Sequence, residues 1–266
     1  MARFTRAIQT PGPVVDADDS ESPTKSGDDE ESVLLAIQYC RRESETMFPS
    51  YLKPISKHFR ERRNRALVEI IAHLQADKRA PLDVLDIGGQ IVFWLSIPLE
   101  ARTKCKISLL NLPGAYDDLP ASEAAEKENF TLLNGDARDL SRFPDAKFDL
   151  VVCNSVIEHV GNWTDMEDAT REATRVGRHG WVQVPAFEFP VEQHFLLPFV
   201  HWLAPQTQVS ILGALNSTYR NASYRDRQIG VQHVRPLKRR ELKELLPDAR
   251  ISTEWLLFPK SHMAVW

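Results

Sequence analysis

Residues 82–90, LDVLDIGGQ, begin as a near-continuous apolar run and close on an acidic residue and a pair of glycines. A short apolar run of this kind predicts a buried strand, and the glycines after it a tight turn of the sort an α/β domain sets against a nucleoside-type cofactor. Further apolar runs follow at regular intervals: KISLLNL from Lys106, NFTLLNGD from Asn129, KFDLVVCNS from Lys147 and GWVQVP from Gly180. Helical or loop-like sequence separates them, and strand alternating with helix predicts a parallel sheet covered on both faces. The chain closes with ARISTEWLLF and SHMAVW, two β-prone runs joined through Pro259 and Lys260, which read as a terminal hairpin.

Upstream, Phe59, Ala66, Leu67, Ile70, Ile71 and Leu74 recur at helical spacing over residues 55–75 and give one apolar stripe to lie on the sheet. An earlier helix, carrying VLLAIQYC, is expected to start at Ser32, whose hydroxyl suits a cap. Residues 1–31 are rich in Pro, Ser and Asp, have little to bury, and are expected to be disordered. The remaining residues, 32–266, read as one domain. Within it residues 185–247 are too long for a simple connection and form an expected substrate-cap insertion. The insertion opens with FEFPVEQHFLLPFVHWLAP, dense in aromatic residues and carrying Glu188, Glu192, His194 and His201.

Charge changes this picture only when divided. Residues 1–31 hold three basic and eight acidic residues, so the rest of a chain with 33 Lys+Arg and 37 Asp+Glu is nearly neutral. A nearly neutral body argues against a nucleic acid substrate, which asks for a basic excess. The basic run RERRNR, Arg60 to Arg65, reads as the solvated face of a helix. The three cysteines, Cys40, Cys105 and Cys153, show neither disulfide-framework nor metal-ligand spacing, which fits a reducing cytoplasm. No apolar run approaches the roughly 20 residues that span a bilayer. The segment FLLPFVHWL is suited at most to peripheral contact with a membrane surface.

VLDIGG, LLNGDARDL, FDLVVCNSVIEHV and WVQVP, in this order and spacing, resemble the class I S-adenosylmethionine-dependent methyltransferases, in particular their type 11 group. The resemblance implies a Rossmann-like seven-stranded sheet in the order 3-2-1-4-5-7-6, with strand 7 antiparallel and helices on both faces. It implies S-adenosyl-L-methionine as cofactor and methyl transfer as the reaction.

By the same resemblance, Asp86 orients the cofactor turn, and Gly88 and Gly89 admit the backbone to the ligand, glycine being the residue that tolerates such an approach. Gln90 stands where many members have a further glycine, so the loop departs from the family pattern there. Asn111 replaces the acidic residue that usually accepts both ribose hydroxyls; an amide accepts one hydrogen bond and donates another. Leu112 is expected as a wall against adenine, Asp136 as acceptor from the adenine amine with the Ala137 backbone at the ring, and Asn154 and Ser155 beside the methionine moiety.

Methyl transfer is an in-line displacement governed by alignment, and a hydroxyl acceptor also needs a base. His159, after strand 4, is one candidate, read on a helix where adjacent Glu158 would point elsewhere. His194 with Glu192 is a second, as an imidazole and its orienting carboxylate, and His201 a third. Related ubiquinone-biosynthesis enzymes hold a divalent ion through a further acidic residue three positions before the Glu-His pair. Ser155 stands there in this chain, so no metal is expected. The expected activity is methylation of a small organic acceptor, most readily at oxygen. The competing readings are a binding or scaffold protein with a degenerate cofactor site, for which Gln90 and Asn111 speak, and a nicotinamide-dependent oxidoreductase, which lacks its second motif glycine.

Overall fold

A computed structural model describes residues 53–266. The expected acidic tail, the helix expected from Ser32, and Cys40 lie outside the described residues. The first described element is helix α1, Lys53–Ala76, followed by strand β1, Leu82–Ile87. Short helices α2, Ile91–Leu95, and α3, Leu99–Arg102, lead to β2, Cys105–Asn111, and a further turn of helix α4, Ala121–Ala124, to β3, Thr131–Asn134. Then come β4, Phe148–Asn154, helix α5, Trp163–Val176, and β5, Gly177–Pro185.

Together with the final strands β8, Arg250–Leu256, and β9, Phe258–Val265, these form a seven-stranded sheet in the order β3-β2-β1-β4-β5-β9-β8. β9 runs antiparallel to both β5 and β8, while β1 to β5 are mutually parallel. With β8 and β9 counted as sixth and seventh strands, this is the order expected from the sequence. Apolar side chains cover both faces, which is why the strands read as unbroken apolar runs. Leu85, Ile87, Val151, Cys153, Val182 and Val184 pack with Met166, Ala169, Ala173 and Val176 of α5. Their alternates Val84, Leu109, Leu150, Val152 and Trp181 pack with Leu67 and Ile71 of α1 and Ile91 and Trp94 of α2.

Helix α1 thus packs Leu67, Ile70, Ile71 and Leu74 of the predicted stripe on the sheet, and the basic run on it is solvated only in part. Arg60, Arg62 and Arg65 are exposed, but Arg63 Nη1 reaches the buried Glu254 at 3.0 Å. The terminal hairpin also turns earlier than expected, at Leu257, which takes φ 58°. Pro259 and Lys260 lie inside β9, and Pro259 pairs with Trp255 at a register shift. β5 begins to pair only at Ser261, so the missing N–H of Pro259 costs no ladder bond on that side.

Two features at the ends of β4 and β5 shape the site. VIEHV does not begin a long helix: Ile157–His159 form a single 3-10 turn. Gly161 at φ 129° breaks the chain, and Asn162 starts α5 separately with a capping box, accepting from the Asp165 amide. After β5 the chain leaves the sheet and returns at Leu237, whose amide bonds the Pro185 carbonyl and whose carbonyl takes the Phe187 amide. Between these points lie a small hairpin, β6 Val191–Glu192 and β7 Leu197–Pro198, a 3-10 turn Val200–Trp202, and helices α6, Pro205–Leu215, and α7, Tyr224–Gln232. They enclose their own apolar cluster of Phe195, Val200, Val209, Leu212, Tyr219 and Val231. The last part of the stretch, helix α8, Arg239–Leu245, packs its Leu242 and Leu245 on the sheet instead.

Candidate active site

The carboxyl ends of β1 and β4 mark the point where strand order reverses, and an open α/β sheet offers its ligand crevice there. Gly88 leaves β1 with φ 67°, and a Cβ on it would stand 2.3 Å from Val156 Cγ2. A Cβ on Gly89 would meet the Asp86 carboxyl carbon at 2.8 Å. Both glycines are therefore demanded by the fold of the turn itself. Asp86 is buried and accepts from Trp94 Nε1 at 2.8 Å. Burial raises its pKa from 3.8 to about 8, with the Trp94 bond pulling the other way. The Gly89 carbonyl accepts from the Tyr116 hydroxyl at 2.9 Å and from Asn111 Nδ2 at 3.4 Å, while Asn111 Oδ1 takes the Leu112 amide at 3.2 Å. Gln90 sits in extended conformation before α2 and makes no side-chain cap. Glu123, buried from α4, supplies a carboxylate to that helix through the Val92 amide at 3.3 Å.

Further along the edge, Asp136 is engaged by its near neighbour Arg138. The guanidinium Nε lies 2.8 Å and Nη2 2.5 Å from Oδ2, and the Arg138 amide 2.8 Å from Oδ1. Arg138 also reaches Asp165 at 3.2 Å. Ala137 is buried beside this pair. At the end of β4, Ser155 takes φ 56° and gives its hydroxyl to Gln183 Oε1 at 2.9 Å. Asn154 Oδ1, next to it, is buried and has no hydrogen-bond partner.

On the other side of β4 stands a second group of predicted residues. Glu158 and His159 project from the 3-10 turn, and the turn is clasped by the returning chain: the Arg235 amide bonds the Glu158 carbonyl at 3.1 Å. His159 Nδ1 lies 2.6 Å from the His233 carbonyl. A carbonyl only accepts, so Nδ1 carries the proton and Nε2 the lone pair. From the β6–β7 hairpin, Glu192 takes the amides of His194 and Phe195 on Oε2 and approaches His194 Nδ1 to 2.7 Å with Oε1. The carboxylate fixes the tautomer in the same way. His194 Nε2 then faces Glu158 Oε1 at 3.9 Å, and the two imidazole rings meet edge to face at 4.7 Å.

One ligand atom from each of Glu158, His159 and His194 lies within 4.8 Å of the others. The adjacent Glu158 and His159, expected to point apart on a helix, therefore converge, because a tight 3-10 turn carries them. Burial lifts Glu158 to a pKa of about 7, against the pull of His194, and lowers His159 to about 3. His201, the remaining candidate, sets its Nε2 2.9 Å from the Phe187 carbonyl, which also accepts from Trp202 Nε1 at 2.8 Å. Phe199, Trp202 and Leu203 stand exposed on the cap, where peripheral membrane contact was expected. Among the described residues no helix is long and apolar enough to cross a membrane.

Residues 100–182 match the methyltransferase domain family, the match running from α3 through β4 to β5. The match covers about a third of the chain. Among solved structures the chain is similar to magnesium protoporphyrin IX methyltransferase from Synechocystis PCC 6803 with bound S-adenosylhomocysteine, at 16% identity and a TM-score of 0.48, over 86% of this chain and 92% of that one. It is also similar to an O-methyltransferase family protein from Burkholderia thailandensis, at 12% identity and a TM-score of 0.47, over 91% and 73% of the two chains. A third likeness is to a SAM-dependent methyltransferase from Methanosarcina mazei, at 13% identity and a TM-score of 0.41, over 72% and 94%. Among curated proteins none matches this chain.

The residues at the β1 and β4 ends are compatible with the cofactor that the sequence resemblance implies. Gly88 and Gly89 keep side chains out of the turn, and the orphaned Asn154 Oδ1 asks for a donor such as the cofactor's amine. Sequence reading missed Glu123, Tyr116 and Arg138. Each acts through a side-chain bond to a predicted residue or its helix; Glu123 and Tyr116 stand in no quoted motif, and Arg138, though within LLNGDARDL, carries no role in the resemblance.

Proposed function

We propose that this enzyme methylates a hydroxyl of a small organic acceptor with an apolar body, using S-adenosylmethionine held at the ends of β1, β2 and β4. The observation that carries the reading is the Glu192–His194 pair, 2.7 Å apart, brought over Glu158 and His159 at the end of β4. When bound, the donor supplies a methyl group on a sulfonium and leaves as a thioether.

The chain's own residues do the rest. Gly88 and Gly89 leave the turn open, Asp86 holds Trp94 and with it the start of α2, and Asn154 offers its orphaned carbonyl oxygen. The Asn111 amide and the Asp136 carboxylate are already bonded within the protein, to Gly89 and Arg138, so ribose and adenine would share these side chains with protein partners. At the acceptor end, the hydroxyl loses its proton at the imidazole and carboxylate cluster, and His194, oriented by Glu192, is the residue on which that step depends. His159 contributes position more than basicity, since its buried ring resists protonation. The cap's part-buried Phe187 and Phe189 line the approach with apolar surface. The cysteine pattern suits a reducing compartment, and we read the enzyme as cytoplasmic.

The test is a screen of small phenols and other hydroxyl compounds with donor labelled on its methyl group. Label on an acceptor oxygen, lost in His194→Ala but with donor binding kept, supports the reading. Transfer that is untouched in His194→Ala would place the acceptor elsewhere.

A further inference from the structure

The group at the end of β4 has features that proton transfer alone does not need. Glu158 is 1% exposed, and neither of its carboxylate oxygens has a hydrogen-bond partner. Leaving a buried carboxylate in that condition is costly unless a cation or donors complete it. Facing it are two imidazoles whose Nδ1 atoms are both spoken for, His159 by the His233 carbonyl and His194 by Glu192. With both Nδ1 atoms engaged in this way, Nε2 is the ring nitrogen of each that can serve as a ligand, and one ligand atom of each residue lies within 4.8 Å of the others. A ring N–H given to a carboxylate or a backbone carbonyl is the usual outer support of a metal-bound histidine, because it fixes the tautomer and raises the basicity of the other nitrogen. Glu192 is itself held by two backbone amides, so the support is rigid.

We propose that Glu158, His159 and His194 bind a divalent first-row transition cation such as zinc. Two imidazoles and one carboxylate suit such an ion, and three protein ligands leave a position for a further oxygen. The ligand atoms lie within 4.8 Å of one another, and bonds of about 2.0–2.2 Å require them to draw in by roughly 1 Å, within reach of side-chain rotation. The absence of an acid at Ser155, which led to the opposite expectation, is made good by His194 arriving from the cap hairpin, a residue distant in sequence.

Binding of the ion stands apart from the proposed reaction, but its purpose rests on that reading. With the ion bound, His194 would serve as its ligand in place of a free base: an acceptor hydroxyl on the open position would be acidified, and its O–H bond would break with the proton passing to solvent water. The oxygen then forms a bond to the methyl carbon as the carbon–sulfur bond breaks and its electron pair stays on sulfur.

The experiment uses the full chain, stripped with a chelator and dialysed, titrated with zinc in a calorimeter and with cobalt by visible absorption. The expected result is one ion per chain, with affinity falling about 10–100-fold in Glu158→Gln and in His194→Ala, and a smaller loss in Glu192→Gln. Glu158→Gln removes the buried charge and is expected to fold, which circular dichroism checks. No binding, or binding unchanged in both ligand variants, overturns the proposal. Methyl transfer that continues in chelator, with donor binding intact, also overturns the catalytic use of the ion while leaving the methyltransferase reading in place; ion binding with no transfer to any hydroxyl does the reverse.

Discussion

Asp86 shows how much one buried side chain governs at the residue scale. Burial raises its folded-state pKa from 3.8 to about 8, so the folded chain holds the proton more firmly than the unfolded chain does. The sign follows: between about pH 4 and about pH 8 stability falls as pH rises, and it changes little beyond. Asp86→Asn keeps an acceptor for Trp94 and removes the titration. The variant's melting temperature should therefore fall less than the wild type's between about pH 5 and about pH 9; parallel curves would show that the carboxyl is not buried neutral. Gly88 carries a second prediction. Gly88→Ala sets a side chain at φ 67° against Val156, at a cost of about 1–3 kcal/mol, and should both lower the melting temperature and abolish donor binding. His194→Ala should lower kcat by about 10²–10⁴ with donor affinity unchanged, the usual range for a group that moves a proton. Equal losses in donor binding and turnover would make His194 a structural residue.

At the scale of elements, what sequence could and could not tell has a physical pattern. The strands were legible because sheets covered on both faces write continuous apolar runs, and LDVLDI and FDLVVCN did so. The glycine pair was legible because its geometry excludes a Cβ. The turn after β4 was misjudged as a helix, although Gly161 followed by Asn162 is a stop and a cap in plain view. The meeting of Glu192 and His194 with Glu158 was beyond reach, since it depends on where the β6–β7 hairpin lands. Nor does any spacing announce that Arg138 takes the carboxylate of Asp136. The cap on α5 supplies the prediction at this scale: Asn162→Ala should cost about 0.5–2 kcal/mol in denaturant unfolding, and it should slow turnover as well if the turn before α5 loosens Glu158 and His159. An unchanged midpoint would mean the capping box contributes nothing.

Over the whole molecule, the sheet brings two sets of groups to one edge. The ends of β1, β2 and β4 form the proposed donor side, which is closely bonded within itself, with Asn154 Oδ1 left over. The chain between β5 and Leu237 builds a small cluster of its own and returns over the 3-10 turn, fastening it through His233 and Arg235. In this arrangement the cap both supplies an imidazole and holds the turn that faces it. The departures from the family pattern at Gln90 and Asn111 bear on this scale, because they decide whether the donor side works as such. Calorimetric titration of the folded protein with S-adenosylmethionine and S-adenosylhomocysteine measures that directly. The account predicts saturable binding of one donor per chain, abolished in Gly88→Ala and kept in His194→Ala. An absence of heat with either ligand, from protein whose circular dichroism shows the native fold, would contradict it.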